Sequence, residues 1–246
     1  MAKNMYSMRL SWGARFEDEL TLPVINGEAF VFGAAPNPVV SKDLLRTATI
    51  VTANASQLFL EAYGVSKPHV TFMRTNMSAG RDVDVMKLEA LRDRQTGLLM
   101  LMAEQDAECR AQLALLSKVN YRFDRLLIAT PVQRSMLQNR VLGTRWHFLL
   151  KRFRPSMGFQ AIMFCLGMGA SSVAVAGISF RSDGCSFSSL QYKRKHIDGD
   201  YDILKRMRRR GLPIYALEQE FAADTGLSRW APHGDGDRRV FSAQSG

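Results

Sequence analysis

Residues 155–180, PSMGFQAIMFCLGMGASSVAVAGISF, contain the clearest alternation of helix and strand in the chain. Apolar residues without a charge run from Phe159 to Met168 and predict a buried helix. Residues 169–171 (GAS) predict a turn, and residues 173–178 (VAVAGI) predict a strand that is buried on both faces. A helix followed by such a strand is typical of a parallel sheet with helices on both sides.

The same alternation continues on both sides of this segment. The predicted strands are 28–32, 49–52, 69–73, 98–102, 126–129, 173–178 and 213–217, and the predicted helices are 57–63, 82–94, 106–118, 159–168, 200–210, 219–224 and one that begins at 41. We therefore predict an α/β fold, a single Rossmann-like domain with a mainly parallel sheet that helices cover on both faces. The predicted parts are an N-terminal segment at 1–27, the domain at 28–228 with a small lid at about 134–154, and a flexible tail at 229–246.

Composition narrows the class of protein. With 246 residues, 46% apolar and 23% charged, the chain is an ordinary globular protein, and its net charge of +10 favours anionic partners such as nucleotides, nucleic acid or an anionic membrane face. The three cysteines, Cys109, Cys165 and Cys185, include no CxxC pair and indicate a reduced, cytoplasmic environment. Residues 1–16 lack the apolar core of a signal peptide, and glycines interrupt the apolar stretch 159–180, so we expect no membrane span.

Residues that follow the predicted strands are the candidates for ligand binding, because ligands of open parallel sheets lie outside the carboxyl ends of the strands. They include Gly33, Ala34, Ala35 and Asn37 after the first strand, Asn54 after the second and Asn76 after the third. The amide of Asn54 can donate to and accept from a base or sugar, and a plain helix N-cap is the alternative. Neither GxGxxG nor GxxxxGK[ST] occurs, which argues against a dinucleotide fingerprint and a P-loop.

His196 is the histidine that best suits catalysis. It lies in a polar loop directly before a predicted helix, whereas His69 and His147 have sequence surroundings typical of structural histidines. An imidazole in such a loop can act as a general base near neutral pH, and an ordinary exposed histidine is the alternative. DxD patterns such as 198–200 are too short to indicate a metal, so we predict no metal and no cofactor.

A basic cluster occupies residues 193–210, with eight Lys or Arg and three Asp. A solvated helix face accounts for most of these charges. The cluster could also bind an anionic membrane surface or nucleic acid.

Three segments resemble the bacterial lipooligosaccharide sialyltransferases, glycosyltransferase family forty-two. Residues 30–37 (FVFGAAPN) are similar to the family's strand and Gly-Asn-Gly-Pro-Ser turn. Residues 155–161 and 166–180 are similar to its Thr-Ser-Gly helix and to a strand that ends Ser-Gly-Ile-Asp-Phe. His196 lies in the loop that corresponds to the one with the family's catalytic histidine. The order of segments holds from residue 28 to about 225.

This resemblance implies a Rossmann-like fold with a mobile lid after the fifth strand, and transfer of sialic acid from a CMP-activated donor, with inversion and without a metal. It implies that His196 deprotonates the acceptor hydroxyl and that Asn54 contacts the nucleotide. Ser156 and Gly158 would line the donor pocket. The acceptor would be a glycan or glycolipid, and the family suggests a homo-oligomer.

Several positions depart from the family pattern. Ala34 and Ala35 replace an Asn and a Gly in the first turn, and Ser179 replaces the Asp of Gly-Ile-Asp-Phe. Arg181 and Phe187 lie near the positions of two tyrosines that stabilise the departing phosphate; Arg181 can bind phosphate through its guanidinium, whereas Phe187 cannot donate a hydrogen bond. A different donor sugar, a different nucleotide or a loss of activity would each explain these changes.

Two function classes follow. The first is a glycosyltransferase of cell-surface polysaccharide or lipopolysaccharide assembly, cytoplasmic and peripheral at the inner membrane, that transfers an acidic sugar from a CMP-activated donor. The second is a catalytically inactive Rossmann-like protein that binds a nucleotide or a partner and regulates assembly. A nucleic-acid-binding protein is the least favoured, because the chain has no known nucleic-acid motif.

Overall fold

Seven parallel strands form one sheet in the computed structural model, which describes residues 23–36, 38–75, 82–143, 154–181 and 196–231. The strands are β1 (Glu28–Phe32), β2 (Thr49–Ala53), β3 (Val70–Arg74), β4 (Gln95–Met102), β5 (Arg122–Ala129), β6 (Ser172–Ala176) and β7 (Ile214–Ala216). Their order in the sheet is β5-β4-β3-β2-β1-β6-β7, and every pair is parallel. The predicted parallel sheet is confirmed.

Helices cover both faces of this sheet. They are α1 (Lys42–Thr47), α2 (Gln57–Glu61), α3 (Asp82–Glu89), α4 (Asp106–Lys118), α5 (Pro131–Leu142), α6 (Met157–Gly167), α7 (Ile197–Arg209) and α8 (Gln219–Thr225). In β1, Val31 belongs to the core on the α6 side, while Phe30 and Phe32 belong to the core on the α1 side. Since successive side chains of a strand point to opposite faces, a strand covered on both faces is apolar throughout. The predicted Rossmann-like fold is confirmed.

Strand β1 is the point at which the direction of strand addition changes. It pairs with β2 on one side and with β6 on the other, so β2 to β5 extend one way and β6 and β7 the other. At such a point, ligands of open α/β sheets usually bind in a crevice outside the carboxyl ends of the strands, so we expect that crevice beside the loops after β1 and β6.

Helix α5 occupies the first part of the predicted lid at about 134–154. Its start shows a capping box, in which the Thr130 side chain accepts from the Gln133 N–H and the Gln133 side chain accepts from the Thr130 N–H, with Pro131 in the first turn. Its end is Gly143 at φ 66°. These helix signals are present in the sequence, but the prediction assigned most of the segment to a lid and did not use them. Residues 144–153 lie outside the described residues.

The ends of the described chain contact the domain. Ile25 is buried, and its N–H donates to Met168 O at 3.0 Å. Although the predicted tail begins at Arg229, Arg229 forms a β-bridge with Ala216, and the indole N–H of Trp230 donates to Glu28 Oε1 at 3.3 Å. The indole adds apolar surface to the core on the α1 side. Within the described residues, no helix has the length and apolar character needed to cross a membrane.

Candidate functional site

Two glycines bring the loops after β1 and β6 into backbone contact. A Cβ on Gly33 would lie 2.3 Å from Gly177 O, and a Cβ on Gly177, which has φ +65°, would lie 2.5 Å from Gly33 O. Hydrogen bonds join the same loops, from Gly33 N–H to Ala176 O at 2.8 Å and from Ala35 N–H to Gly177 O at 2.7 Å. Gly33, Ala34 and Ala35, which the sequence placed in the site, therefore lie at the β1/β6 junction, beside the expected crevice.

The start of α6 lies at the same edge of the sheet. Ser156 is the N-cap, and its Oγ accepts from the Phe159 N–H at 3.4 Å. A Cβ on Gly158 would lie 2.7 Å from Ile178 Cδ1, and a Cβ on Gly33 would lie 2.7 Å from Ile178 Cγ1. Ile178 thus packs between the start of α6 and the β1 loop. The structure brings Ser156 and Gly158 together with Gly33 at one edge of the sheet.

Asn54 follows β2 at this edge with a left-handed backbone, φ 56°. Its N–H donates to Phe72 O at 2.7 Å, and its side chain is half-buried. The alternative that Asn54 caps a helix is wrong, because Ser56 occupies the N-cap of α2. Ser56 Oγ donates to Phe32 O at 2.8 Å, which fixes the turn after β2 against the end of β1. Asn37 and Asn76 lie outside the described residues.

His196 precedes the first residue of α7 and is half-buried. Its Nδ1 lies 3.0 Å from Arg154 O. Because a carbonyl oxygen only accepts hydrogen bonds, Nδ1 must carry the proton, and the lone pair of the neutral ring lies on Nε2. An imidazole in this tautomer can take a proton through Nε2.

Asp200, in the first turn of α7, connects the starts of α6 and α7. It is 6% exposed, its Oδ1 accepts from the Ser156 N–H at 2.8 Å, and its own N–H donates to His196 O at 2.9 Å. Sequence reasoning missed this residue. Its signals were a weak DxD pattern and a position four residues after His196. Among the residues that the structure describes, no group of three or more His, Cys, Asp or Glu could hold a metal ion.

Arg181 and Ser179 lie in the loop after β6. Ser179 Oγ accepts from the Arg181 N–H at 3.1 Å, and the Arg181 guanidinium forms an ion pair with Asp224 of α8. A phosphate that binds Arg181 must therefore compete with or share it with Asp224. The Phe180 ring stacks on Phe159 with centroids 6.1 Å apart, which holds this loop on α6. Phe187 lies outside the described residues.

Glu218, at the start of α8, contacts the loops after both β1 and β6. Sequence reasoning missed this residue, although it directly follows a predicted strand. Its Oε1 accepts from the Gly177 N–H at 2.7 Å and from the Val39 N–H at 3.1 Å. Burial raises the pKa of this carboxyl, although the two backbone N–H groups partly oppose the rise. Glu218 therefore ties the loops after β1 and β6 to the start of α8.

Arginines and glutamates gather beside the crevice, at the carboxyl ends of β3, β4 and β5. Arg154 Nη1 lies 2.8 Å from Glu104 Oε1. Burial lowers the pKa of the Arg134 guanidinium, and the charges of Glu104, Arg74, Arg154 and Glu108 also act on this group. Arg134 stays charged because the ordinary pKa of arginine is so high. Arg74, Arg134 and Arg154 thus bring positive charge to this group, although Glu104, Glu108 and the first-turn residues Asp82, Asp84 and Asp106 of α3 and α4 bring negative charge to the same edge.

A cavity of about 500 Å³ lies at the opposite edge of the sheet, at the amino ends of β2 to β5. An ion pair between Lys67 and Asp124, at 2.8 Å, and the ring of His69 line it. His69 is exposed, and its Nδ1 accepts from the Ile50 N–H at 2.9 Å, so its role is structural. Helix C-termini face this amino edge and disfavour anions. We therefore place the functional site at the carboxyl edge, although the cavity of about 500 Å³ lies at the amino edge.

Comparison with known proteins gives the class of this fold. No family model and no curated protein sequence matches the chain. Among solved structures, the monofunctional α-2,3-sialyltransferase Cst-I from Campylobacter jejuni is 14% identical, with 87% of this chain and 84% of that chain covered and a TM-score of 0.55. The sialyltransferase CstII from Campylobacter jejuni with the substrate analogue CMP-3FNeuAc is 13% identical, with coverages of 82% and 85% and a TM-score of 0.53. The sialyltransferase CST-II with a trisaccharide acceptor and CMP is 12% identical, with the same coverages and a TM-score of 0.54.

The chain is thus a Rossmann-like α/β protein with the fold of the sialyltransferases. At these identities the likeness concerns the fold, and the resemblance predicted from the sequence is confirmed at that level.

Proposed function

We propose that this protein is a sialyltransferase-like glycosyltransferase that transfers an acidic sugar from a CMP-activated donor to a glycan or glycolipid acceptor. The observation that carries the proposal is His196, whose Nδ1 is bound to Arg154 O at the carboxyl edge of a sheet with the sialyltransferase fold. The related fold holds CMP and a trisaccharide acceptor in CST-II.

The donor would bind in the crevice at the β1/β6 junction. Gly33, Ala34 and Ala35 would form one wall, and Asn54 would contact the nucleotide. The N-terminus of α6 would attract the donor phosphate near Ser156 and Gly158, and the phosphate would share this helix end with the Asp200 carboxylate, which accepts from the Ser156 N–H. Ser179, Asn37 and Asn76 complete the proposed donor-binding set.

The proposed transfer is a single displacement. His196 Nε2 takes the proton from the acceptor hydroxyl while the oxygen attacks the anomeric carbon of the sugar. The bond from that carbon to the CMP phosphate oxygen breaks, and CMP leaves with the electron pair, so the configuration inverts. The α6 N-terminus and Arg181 would stabilise the negative charge of the departing phosphate without a metal.

A catalytically inactive nucleotide- or partner-binding protein is the second candidate. The ion pair between Arg181 and Asp224 favours it, because this guanidinium already has an anionic partner. Ala34 and Ala35 also bring methyl groups to the wall where the family has an amide and a glycine.

The test combines binding and turnover. We expect CMP, but not UMP, GDP or ADP, to raise the melting temperature, since a ligand that binds the native state stabilises it. With CMP-activated sugars and glycan acceptors, His196→Ala should lower the rate of CMP release by about 10²–10⁴-fold and leave CMP affinity unchanged. His69→Asn, which alters a histidine at the opposite edge and retains an acceptor for the Ile50 N–H, is the matched control.

Each failure has a distinct meaning. Turnover that survives in His196→Ala would show that His196 is not the base. CMP binding without turnover on any donor would favour the inactive binding protein, and the absence of CMP binding would contradict the donor assignment.

The basic cluster provides a proposed contact with anionic lipid at the inner membrane. Lys205, Arg206, Arg209 and Arg210 lie in or directly after the last two turns of α7, whereas Arg208 Nη1 donates to Thr225 O at 2.7 Å and supports the fold. Because α7 has 13 residues, its basic end lies about 20 Å from His196, at the opposite edge of the sheet. Lipid bound there would leave the crevice accessible.

A homo-oligomer is proposed from the family likeness alone, and a measurement of the molecular mass in solution tests it.

A further inference from the structure

Two segments that are far apart in the chain form a closed hydrogen-bonded ring at the starts of α6 and α7. His196 Nδ1 donates to Arg154 O at 3.0 Å, and the Ser156 N–H donates to Asp200 Oδ1 at 2.8 Å. The Asp200 N–H donates to His196 O at 2.9 Å within the first turn of α7. Residues 154–156 therefore have a backbone acceptor bound to the imidazole and a backbone donor bound to the carboxylate.

The geometry of the ring makes its two cross-links depend on each other. Only Pro155 separates the Arg154 carbonyl from the Ser156 N–H, and the proline ring restricts rotation of the backbone between them. A movement of Ser156 away from Asp200 would thus carry the Arg154 carbonyl away from His196. Asp200 is buried, and the positive ends of two helix dipoles favour its negative charge.

Asp198 differs from Asp200 although both belong to the same DxD pattern and the same first turn of α7. Asp198 is exposed, whereas Asp200 points inward to the Ser156 N–H. The two residues contribute equally to sequence pattern and formal charge. Only Asp200 is linked to the segment that bonds to His196.

We propose that Asp200 is the positioning residue of the general base: through Ser156 it holds the Arg154 carbonyl against His196 Nδ1, which keeps the ring proton on Nδ1 and the lone pair on Nε2. Its kinetic consequence rests on the proposed transferase function. The position and tautomer of the ring do not, since they are properties of the folded protein.

The first experiment determines the tautomer of His196 by ¹⁵N NMR of the ring nitrogens in the full chain, with His196→Ala used for assignment. The wild-type protein should show the Nδ1–H form. Asp200→Ala should lose the preference for this form, whereas Asp200→Asn should retain it because the amide oxygen still accepts from the Ser156 N–H. Asp198→Asn, which removes the same charge from the same turn, should behave as the wild type.

The second experiment measures turnover of a CMP-activated sugar and CMP affinity in the same variants. Asp200→Ala should lower kcat by about 10- to 100-fold with CMP affinity unchanged, as expected when a residue that orients a base is lost. Asp200→Asn should recover most of this loss. If Asp200→Ala does not fold, Asp200→Ser is used instead. The serine side chain is one bond shorter than that of aspartate, so its hydroxyl cannot reach the Ser156 N–H.

The two experiments separate this inference from the proposed function. If the wild-type protein has no transferase activity, the NMR comparison still decides the role of Asp200. The inference is overturned if the alanine or serine variant keeps the Nδ1–H form, or if Asp198→Asn changes the tautomer as much as they do.

Discussion

The carboxyl and amino edges of the sheet each have a histidine, yet only one edge suits an anionic substrate. At the carboxyl edge the starts of α6 and α7 meet the loops after β1 and β6, and His196 is bound to Arg154 O. At the amino edge there is a cavity of about 500 Å³, but helix C-termini face it and His69 accepts a backbone hydrogen bond. The direction of the chain, and not the size of a cavity, distinguishes the two edges, because helix dipoles favour anions only at the N-terminal ends.

A glycine at each edge offers the sharpest test of this difference. In Gly33→Ala the new Cβ would lie 2.3 Å from a backbone oxygen, and in Gly97→Ala it would lie 2.8 Å from His69 O. Both variants should lose about 1–3 kcal/mol of unfolding free energy, with the larger loss in Gly33→Ala. Only Gly33→Ala should also weaken CMP binding, because it separates the β1 and β6 loops.

Chemical denaturation and CMP titration of the two folded variants measure these effects. Equal loss of CMP binding in both would mean that the fold as a whole, and not the crevice, determines affinity. Weaker binding in Gly97→Ala alone would move the nucleotide site to the amino edge.

Charge at the amino edge gives the next prediction. The double variant Arg206→Gln/Arg209→Gln should lower the partition onto phosphatidylserine-containing vesicles by roughly 30-fold, since each basic residue near such a surface contributes about 1 kcal/mol. Lys42→Gln/Arg110→Gln removes two charges from the carboxyl side and should have a smaller effect. Vesicle sedimentation at physiological salt is the measurement, and equal effects of the two pairs would show that only net charge matters.

The smallest expected effect is the pH dependence contributed by Glu218. Burial raises its folded-state pKa above 4.5, so the folded protein binds this proton more tightly than the unfolded chain does. Its contribution to stability is therefore full below the unfolded value and decreases as the pH rises through the folded value. In Glu218→Gln this decrease should disappear, and the unfolding free energy should depend less on pH above 4.5.

Urea denaturation as a function of pH tests this prediction. Glu220→Gln, an exposed neighbour on α8, should leave the pH dependence unchanged. If the wild type and Glu218→Gln have the same pH dependence, the carboxyl is not perturbed in solution.

Local patterns in the sequence predicted most of the helices and strands. The prediction for α4, residues 106–118, coincides with the observed helix, and the seven predicted strands all overlap observed ones. The apolar runs of β1 and β6 predicted burial on both faces because a strand covered by helices has no polar face. For α5 the sequence contains the signals of a helix, a capping box and a C-terminal glycine, but the prediction assigned most of these residues to a lid.

By itself the sequence determined the class of fold and the glycine after β1, since each depends on residues that are close in the chain. The choice of His196 over the other histidines stays a prediction. Only the tertiary structure decided what surrounds His196. The Arg154 carbonyl is 42 residues from His196, and the Ser156 N–H is 44 residues from Asp200. No local pattern encodes such contacts, because they arise when the strand order places β6 beside β1 and brings the starts of α6 and α7 to the same edge of the sheet.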